Sequence, residues 1–255
     1  MKPFVIAQIS DLHVGATWAP FDPLARLRAS VTAIRHLPDR PEAILVSGDI
    51  ADHGSADEYA VAAAELGALG IPVHVAAGNH DDRAALREYF SLPGNGAEPI
   101  DYAAQAGPLE VLVLDSTVDG ADRGDLEAGQ LDWLEASLAA APGRPAALLM
   151  HHPPTRTGVP ALDAIGLAGP ARLALGRIVA RHSRVRAILC GHLHRAITTS
   201  LGGRAVLTAP STYTQITVDP SADGLHSAAA ESPAFLVHRF LDGEVISYVQ
   251  PVAKA

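Results

Sequence analysis

Short apolar runs that stop abruptly at a polar residue recur along the chain. Phe4–Ile9 runs into Ser10-Asp11-Leu12-His13, Ala43–Val46 into Ser47-Gly48-Asp49, and Val73–Ala77 into Gly78-Asn79-His80-Asp81. Ala146–Met150 ends at His151-His152, and Ala187–Cys190 at Gly191-His192-Leu193-His194. An unbroken apolar run of about four to six residues, bounded by glycine or a polar residue, predicts a buried strand. Helical patterns lie between the runs. Pro23–Leu37 has Asp22 and Pro23 placed as N-cap and first helical residue. Ala56–Leu69 follows Ser55 and Glu58, spaced as a capping box. Asp82–Phe90 and Gly169–His182 are two more, and Asp125–Ala140 carries an apolar stripe at Leu126, Trp133, Leu134 and Leu138. Further strand-like runs lie at Leu109–Leu114, Val185–Leu189, Ala205–Ala209, Ala234–Phe240 and Glu244–Val249. Early strand–helix alternation followed by a strand-rich end predicts an α/β fold of two mixed sheets flanked by helices, rather than one parallel sheet. Pro93–Pro99 reads as a loop. Thr212–Glu231 is long and small-residue-rich, a kind of segment that is uncommon in a compact domain and often functional. It is expected to be a lid or a subunit contact within a single domain spanning residues 1–255.

Composition narrows the function. The 255 residues carry a formal net charge of −9, which argues against a nucleic-acid duplex as partner, because phosphate-backbone binding wants a basic face. A small phosphodiester stays open, since metal ions can meet its charge locally. No segment approaches the ~18 apolar residues of a membrane span. The N-terminal apolar run leads straight into Asp11 and His13, so it reads as a strand rather than a signal segment. One cysteine, Cys190, excludes an internal disulfide and fits a reducing compartment. A cytoplasmic protein is therefore expected. Cys190 closes an apolar run and reads as a buried small hydrophobe.

Candidate chemistry sits where the runs stop. Ligands bind at the carboxyl ends of strands in open sheets with crossover helices, so distant segments can deliver their last residues to one place. The donors are Asp11, His13, Asp49, Asn79, His151, His192 and His194. Oxygen and nitrogen donors without a thiolate suit Mn, Fe, Zn or Co rather than a structural zinc knot. In Asp11-x-His13 and His192-x-His194, alternate residues of extended chain would point the same way. Gly48, Gly78 and Gly191 precede donors, where a missing Cβ permits a sharp turn and close approach. Asp49 has two oxygens and can bridge. Seven side chains, with Asp49 counted twice, give eight metal bonds, too many for one tetrahedral ion and suited to two.

The set Asp11-x-His13, Gly48-Asp49, Gly78-Asn79-His80-Asp81, His151-x-Pro153 and Gly191-His192-x-His194 resembles the calcineurin-like metallophosphoesterases. Met150-His-His-Pro-Pro154, Trp133-Leu-Glu-Ala136 and Ser232-Pro-Ala-Phe-Leu-Val-His238 extend the resemblance to the branch of class III cyclic-nucleotide phosphodiesterases and glycerophosphodiesterases. The resemblance implies a four-layer α/β/β/α sandwich with two metal ions per chain. Asp11, His13 and His194 would hold one, Asn79, His151 and His192 the other, with Asp49 between them. It further implies a phosphodiesterase acting on small diesters, such as a 3′,5′-cyclic nucleotide like cAMP or a glycerophosphodiester. Attack would be in line by a metal-bound hydroxide, with no covalent intermediate.

His80 is the catalytic candidate: the resemblance has it face the phosphate, where it would donate to a leaving alkoxide. Asp81 or another carboxylate would hold its tautomer. Asn79 and His80 are expected to contact substrate. So is His152, as a pocket wall, with support of the ligands as the alternative. His53 and His226 are candidates for the rim, and Trp18 and Phe21 for packing on the lid, with stacking on a base as the alternative. The motifs contain no Arg or Lys, and only Arg195 adjoins them, which favours a diester monoanion over a monoester dianion. A DNA exonuclease or phosphomonoesterase of the same fold is the alternative among enzymes. An inactive scaffold would be expected to lack donors or His80, and all are present. A homo-oligomer is compatible with the long 212–231 segment.

Overall fold

Strands buried on both faces need neighbours on both faces, and the helical segments between the apolar runs supply them. In the computed structural model, which describes residues 3–221, 224–225, 231–241 and 243–253, the order is β1 (Phe4–Ile9), α1 (Pro23–Arg35), β2 (Ala43–Val46), α2 (Ala56–Gly67), β3 (Val73–Val75), α3 (Arg83–Phe90), β4 (Tyr102–Ala106) and β5 (Leu109–Val113). There follow α4 (Ala128–Ala140), β6 (Ala146–Leu149), α5 (Pro160–Ile165), α6 (Gly169–Arg181), β7 (Val185–Cys190), β8 (Ile197–Leu201), β9 (Arg204–Thr208), β10 (Ala234–Leu241) and β11 (Glu244–Pro251).

Two mixed sheets form. One has the order β11-β10-β1-β2-β3, the other β4-β5-β6-β7-β9-β8. The first is antiparallel from β11 through β10 to β1 and parallel from β1 to the β3 edge, and the second is parallel from β5 to β9 with an antiparallel strand at each edge. Three apolar layers explain the stacking. Ile6, Leu45, Val111, Leu149 and Leu189 pack between the sheets. Leu27, Val31 and Ile34 of α1, with Tyr59 and Leu66 of α2, cover the outer face of the first sheet. Leu134 and Leu138 of α4, with Leu175 and Val179 of α6, cover the second. Each such buried aliphatic contributes ~1.5–3 kcal/mol. The expected α/β/β/α sandwich is the fold observed, and no helix among the described residues is long and apolar enough to cross a membrane.

Helix starts follow local chemistry. Asp22 accepts from the Leu24 amide at 2.9 Å, and Ser55 with Glu58 forms the capping box. Asp82 is the cap of α3 rather than its first residue, accepting from the Ala85 amide at 2.8 Å. α4 starts at Ala128, not Asp125, because Glu127 and Gln130 form a capping box there. Strands β4 and β8 escaped the sequence reading. Both are edge strands of alternating partial exposure, built largely from Ala, Gln, Thr and Ser, so they lack an apolar run. The short α5 has too few residues for a period.

Register places the site. Ile9 pairs with Val46 and Val46 with Val75, while Leu149 pairs with Leu189. The five donor segments therefore emerge from aligned strand ends on one rim, and the two sheets converge there. A Cβ on Gly191 would sit 2.0 Å from Ser10 Oγ and 2.6 Å from the Ser47 carbonyl oxygen. One on Gly48, whose φ is +94°, would sit 2.4 Å from His151 Nδ1.

Thr212–Glu231 divides in two. Thr212 to Ile216 is buried and tied into the site, which makes it scaffold rather than lid. Residues 217–221 are exposed. Residues 222, 223 and 226–230 of this segment, including His226, lie outside the described residues.

Candidate metal centre

Six described non-glycine residues have positive φ, and five of them are predicted donors: Asp11 (52°), His13 (46°), Asp49 (51°), His192 (71°) and His194 (47°). The sixth, Ser91 (53°), caps α3. The left-handed region costs a non-glycine residue ~1–3 kcal/mol and persists where surrounding structure over-determines it. Here the backbone supplies that constraint: the Asp11 amide donates to the Gly48 carbonyl at 3.0 Å, and the Leu12 amide to the Asp49 carbonyl at 2.8 Å. The paired donors thus converge by left-handed turns, not by the extended alternation read from the spacing. Leu12 and Leu193 turn into the core instead.

The donor atoms face one another. His13 Nε2 lies 3.1 Å from His194 Nε2, 3.6 Å from Asp49 Oδ2, and Asp11 Oδ1 lies 3.6 Å from His194 Nε2. His151 Nε2 lies 3.1 Å from His192 Nδ1, 3.1 Å from Asn79 Oδ1 and 3.3 Å from Asp49 Oδ2. Two groups form, and Asp49 Oδ2 adjoins both. Asp11, His13, Asp49 and His194 bring ligand atoms within 4.8 Å of one another, and so do His151, His152 and His192, and His13, Asp52 and His80.

Each imidazole spends its other nitrogen on an oxygen acceptor. His13 Nδ1 donates to Asp52 Oδ1 (2.8 Å), His194 Nδ1 to the Thr214 carbonyl (2.7 Å), His151 Nδ1 to the Ser47 carbonyl (2.7 Å) and His192 Nε2 to the Ile165 carbonyl (3.0 Å). A carbonyl can only accept, so the tautomers are fixed. Neutral rings then present bare lone pairs inward. A cation between the members of each pair turns that repulsion into coordination, so the donor set fits metal.

Electrostatics agrees. Burial lowers His13 and takes His194 to about 4, so both stay neutral with their lone pairs facing. Burial also lowers His192 well below the usual value. At His151 burial is overcome by the charge of Asp49, which lifts it to about 9. Without metal, a proton on His151 therefore occupies the inward nitrogen. Burial would raise Asp49, but His151 outweighs it and holds that carboxyl well below the ordinary range. Burial raises Asp11 to about 6.

The remaining expected residues fall in different places. His80 lines the cleft above the donors and is 39% exposed. Its Nδ1 donates to the Asp52 carbonyl at 2.9 Å, leaving Nε2 for the cleft. Burial is outweighed by Asp49 and Asp52, so its pKa is raised. Asp81 does not orient it. That carboxylate accepts from the Ile50, Ala51 and Gly78 amides and the Tyr59 hydroxyl, fixing the turn beneath Asp49.

His152 is not a cleft wall. It is fully buried, with its ring 4.5 Å from that of His192 and Nδ1 hydrogen-bonded to the Ser116 hydroxyl at 2.8 Å. Burial takes it to about 3, so it is neutral packing behind the donors. Trp18 does the reverse. It lines the cleft, 47% exposed, edge-on to His13 and donating from Nε1 to Asp52 Oδ1 at 3.1 Å. Phe21 packs under the Arg26 guanidinium. His53 pairs with Glu58 at 2.7 Å, outside the donor groups.

Asp52, Thr214 and Ile165 were not singled out from sequence. Asp52 carried a usable signal, a second carboxylate three residues after Asp49. Thr214 and Ile165 act through main-chain oxygens, which no residue type announces.

The family described as calcineurin-like phosphoesterase matches residues 4–196 of the chain. A glycerophosphodiester phosphodiesterase of Enterobacter lignolyticus is 33% identical, over 98% of this chain and 91% of that one. A 3′,5′-cyclic adenosine monophosphate phosphodiesterase of Escherichia coli is 31% identical, over 93% and 90% respectively. Among solved structures, a dimetal phosphatase from Danio rerio superposes with a TM-score of 0.74 at 18% identity, covering 98% of this chain and 97% of that one, a likeness of fold. With the family match spanning most of its length and relatives at this identity along nearly all of it, the chain belongs to the calcineurin-like phosphoesterases.

Proposed function

We propose that the protein is a two-metal phosphodiesterase acting on small phosphodiesters. The observation that carries this reading is the cleft of about 220 Å³ over the donors: two donor groups share Asp49 in its floor, and no Arg or Lys lines it among the described residues. Asp11, His13 and His194 would hold one ion and Asn79, His151 and His192 the other, with Asp49 bridging. Mn, Fe, Zn and Co all suit these donors. Bound ions supply Lewis acidity toward the phosphoryl oxygens and lower the pKa of a coordinated water toward ~7.

The chain's own residues do the rest. Asp52 and the Ser47, Ile165 and Thr214 carbonyls hold the four imidazoles in one tautomer. His80, with Nδ1 committed to the Asp52 carbonyl and its pKa raised, presents Nε2–H to the cleft. From there it donates to the departing alkoxide of the diester. A phosphomonoester dianion brings one more negative charge and meets no Arg or Lys in the cleft among the described residues. That supports diesters, and so do the names of the two relatives above, one for glycerophosphodiesters and one for cyclic AMP. A cytoplasmic location belongs to the same reading, on the strength of the single buried Cys190.

The test is hydrolysis of bis(p-nitrophenyl) phosphate against p-nitrophenyl phosphate with Mn²⁺ added. The diester should have the higher kcat/KM. Equal efficiency on the two, or no turnover above the metal blank, removes the reading.

A further inference from the structure

The apolar layer between the two sheets turns polar beneath the donors. Gln8 lies two residues beyond Ile6 and Ser47 two beyond Leu45, and both are fully buried. His238 joins them from β10, equally buried, opposite Ile6 in the register of β1 and β10. It closes the Ser232–His238 stretch, for which the proposed reaction has no use. Burying an amide and an imidazole costs free energy unless their hydrogen bonds are met. Here every side-chain nitrogen and oxygen of Gln8 and His238 is met.

The bonds run in one direction. The Cys190 carbonyl can only accept, so Gln8 Nε2 donates to it, at 2.8 Å, and to Ser47 Oγ at 2.9 Å. Gln8 Oε1 then accepts from His238 Nε2 at 2.9 Å. Burial takes His238 to about 4, so its ring is neutral and Nδ1 is left to accept from the Ser247 hydroxyl at 2.7 Å. Cys190 ends β7 of the second sheet and leads through Gly191 to His192, whereas Gln8 lies on β1 of the first sheet and Ser47 directly follows β2. The Ser47 carbonyl in turn accepts from His151 Nδ1 at 2.7 Å. Gln8 thus ties the sheets together at the residues that carry His192 and orient His151. A Cβ on Gly191 would sit 2.6 Å from the Ser47 carbonyl oxygen. The sheets are in close contact at this point, and a change in their spacing shifts both imidazoles against Asp49.

We propose that Gln8 and His238 are positioning residues for the ion of Asn79, His151 and His192: a one-way hydrogen-bond chain from Ser247 through His238 and Gln8 to Ser47 and Cys190 holds the two sheets at the spacing which that ion needs. The inference rests on the two-metal reading above. Neither residue touches substrate or ion. Each acts through the main chain that carries or orients a donor imidazole.

Calorimetric titration of the metal-free protein with Mn²⁺ tests it. The wild type should take up two equivalents. Gln8→Met keeps the volume and removes both donors; it should weaken one equivalent about 10–100-fold, the range for a lost partner behind a metal ligand, and leave the other. His238→Phe removes only the donor to Gln8 Oε1 and should weaken the same equivalent by a smaller factor. Val111→Ala, between the same sheets but away from the chain of bonds, is the control: it should lower the Tm of the metal-free protein and leave both equivalents as in the wild type. Gln8→Met combined with Asp52→Asn should weaken both equivalents, because Asp52 supports His13 of the other group. Unchanged affinity in Gln8→Met, both equivalents weakened by it alone, or an equal loss in Val111→Ala overturns the inference while leaving the two-metal reading standing. Where Gln8→Met does not fold, unchanged affinity in His238→Phe overturns it equally. Fewer than two equivalents in the wild type sinks both.

Discussion

The two halves of the donor cluster are built from different materials. In the half with Asp11, His13 and His194, a side-chain carboxylate supports one imidazole: Asp52, itself bonded to the partly exposed Trp18. In the half with Asn79, His151 and His192, both imidazoles lean on main-chain carbonyls, Ser47 and Ile165. A carboxylate adds charge and makes its imidazole a stronger base, whereas a carbonyl fixes orientation alone. The second half instead draws charge from Asp49, which lifts His151 above its ordinary pKa. One half is thus tuned by a loop side chain that substitution can reach, and the other by the sheets themselves.

The largest effect erases the comparison. Asp49→Ala removes the one carboxylate that adjoins both halves, and metal analysis should find neither ion retained. Two ions bound as in the wild type would mean that Asp49 does not bridge. Next comes His80→Ala, which removes a ring packed edge-on against His13 but none of the seven candidate ligands, and should keep both ions. Turnover should fall roughly 10²–10⁴-fold on an alkyl diester such as glycerophosphocholine, the range of a lost general acid. On bis(p-nitrophenyl) phosphate the fall should be smaller, because p-nitrophenolate leaves without a proton. Equal falls would assign His80 to stabilising phosphoryl charge.

How much of this the sequence made legible depends on what each residue does. That the seven candidate donors and His80 would meet was readable, because each follows an apolar run and the register of parallel strands carries run ends to one rim. The sandwich was readable for the same reason. Edge strands β4 and β8 were not, since a half-exposed strand of small polar residues has no apolar run to detect. For His152 and Trp18 the sequence left two readings each, and the structure buries His152 and turns Trp18 to the cleft. Adjacency to a donor says nothing of whether a ring faces the cleft or the core, and the Ser116 hydroxyl that draws His152 inward lies 36 positions away.

Two smaller effects sharpen the contrast. Metal must displace the proton from His151, so affinity in the second half should rise about tenfold per unit between pH 7 and pH 9 and then level. In the first half, burial already keeps His13 and His194 neutral and Asp11 titrates near 6, so affinity there should change little over that window. Metal titrations at pH 7 and pH 9 separate the two, and parallel changes would count against the contrast. The sign for the metal-free fold is opposite. His151 is raised from 6.5 to about 9, so its stabilising contribution is complete below 6.5 and is lost as pH rises through about 9. Asp52→Asn should weaken one metal equivalent about 10–100-fold and leave the other. Weakening of both together would show that Asp52 supports the whole rim rather than His13.

The central claim is that Asp49 joins two donor groups into one dinuclear centre. Anomalous diffraction from a Mn²⁺-loaded crystal tests it most directly. The account predicts two peaks about 3.5–4 Å apart, with Asp49 between them, His13 and His194 on one and His151 and His192 on the other. A single peak under metal-replete conditions, or two peaks with Asp49 bound to only one, would contradict it.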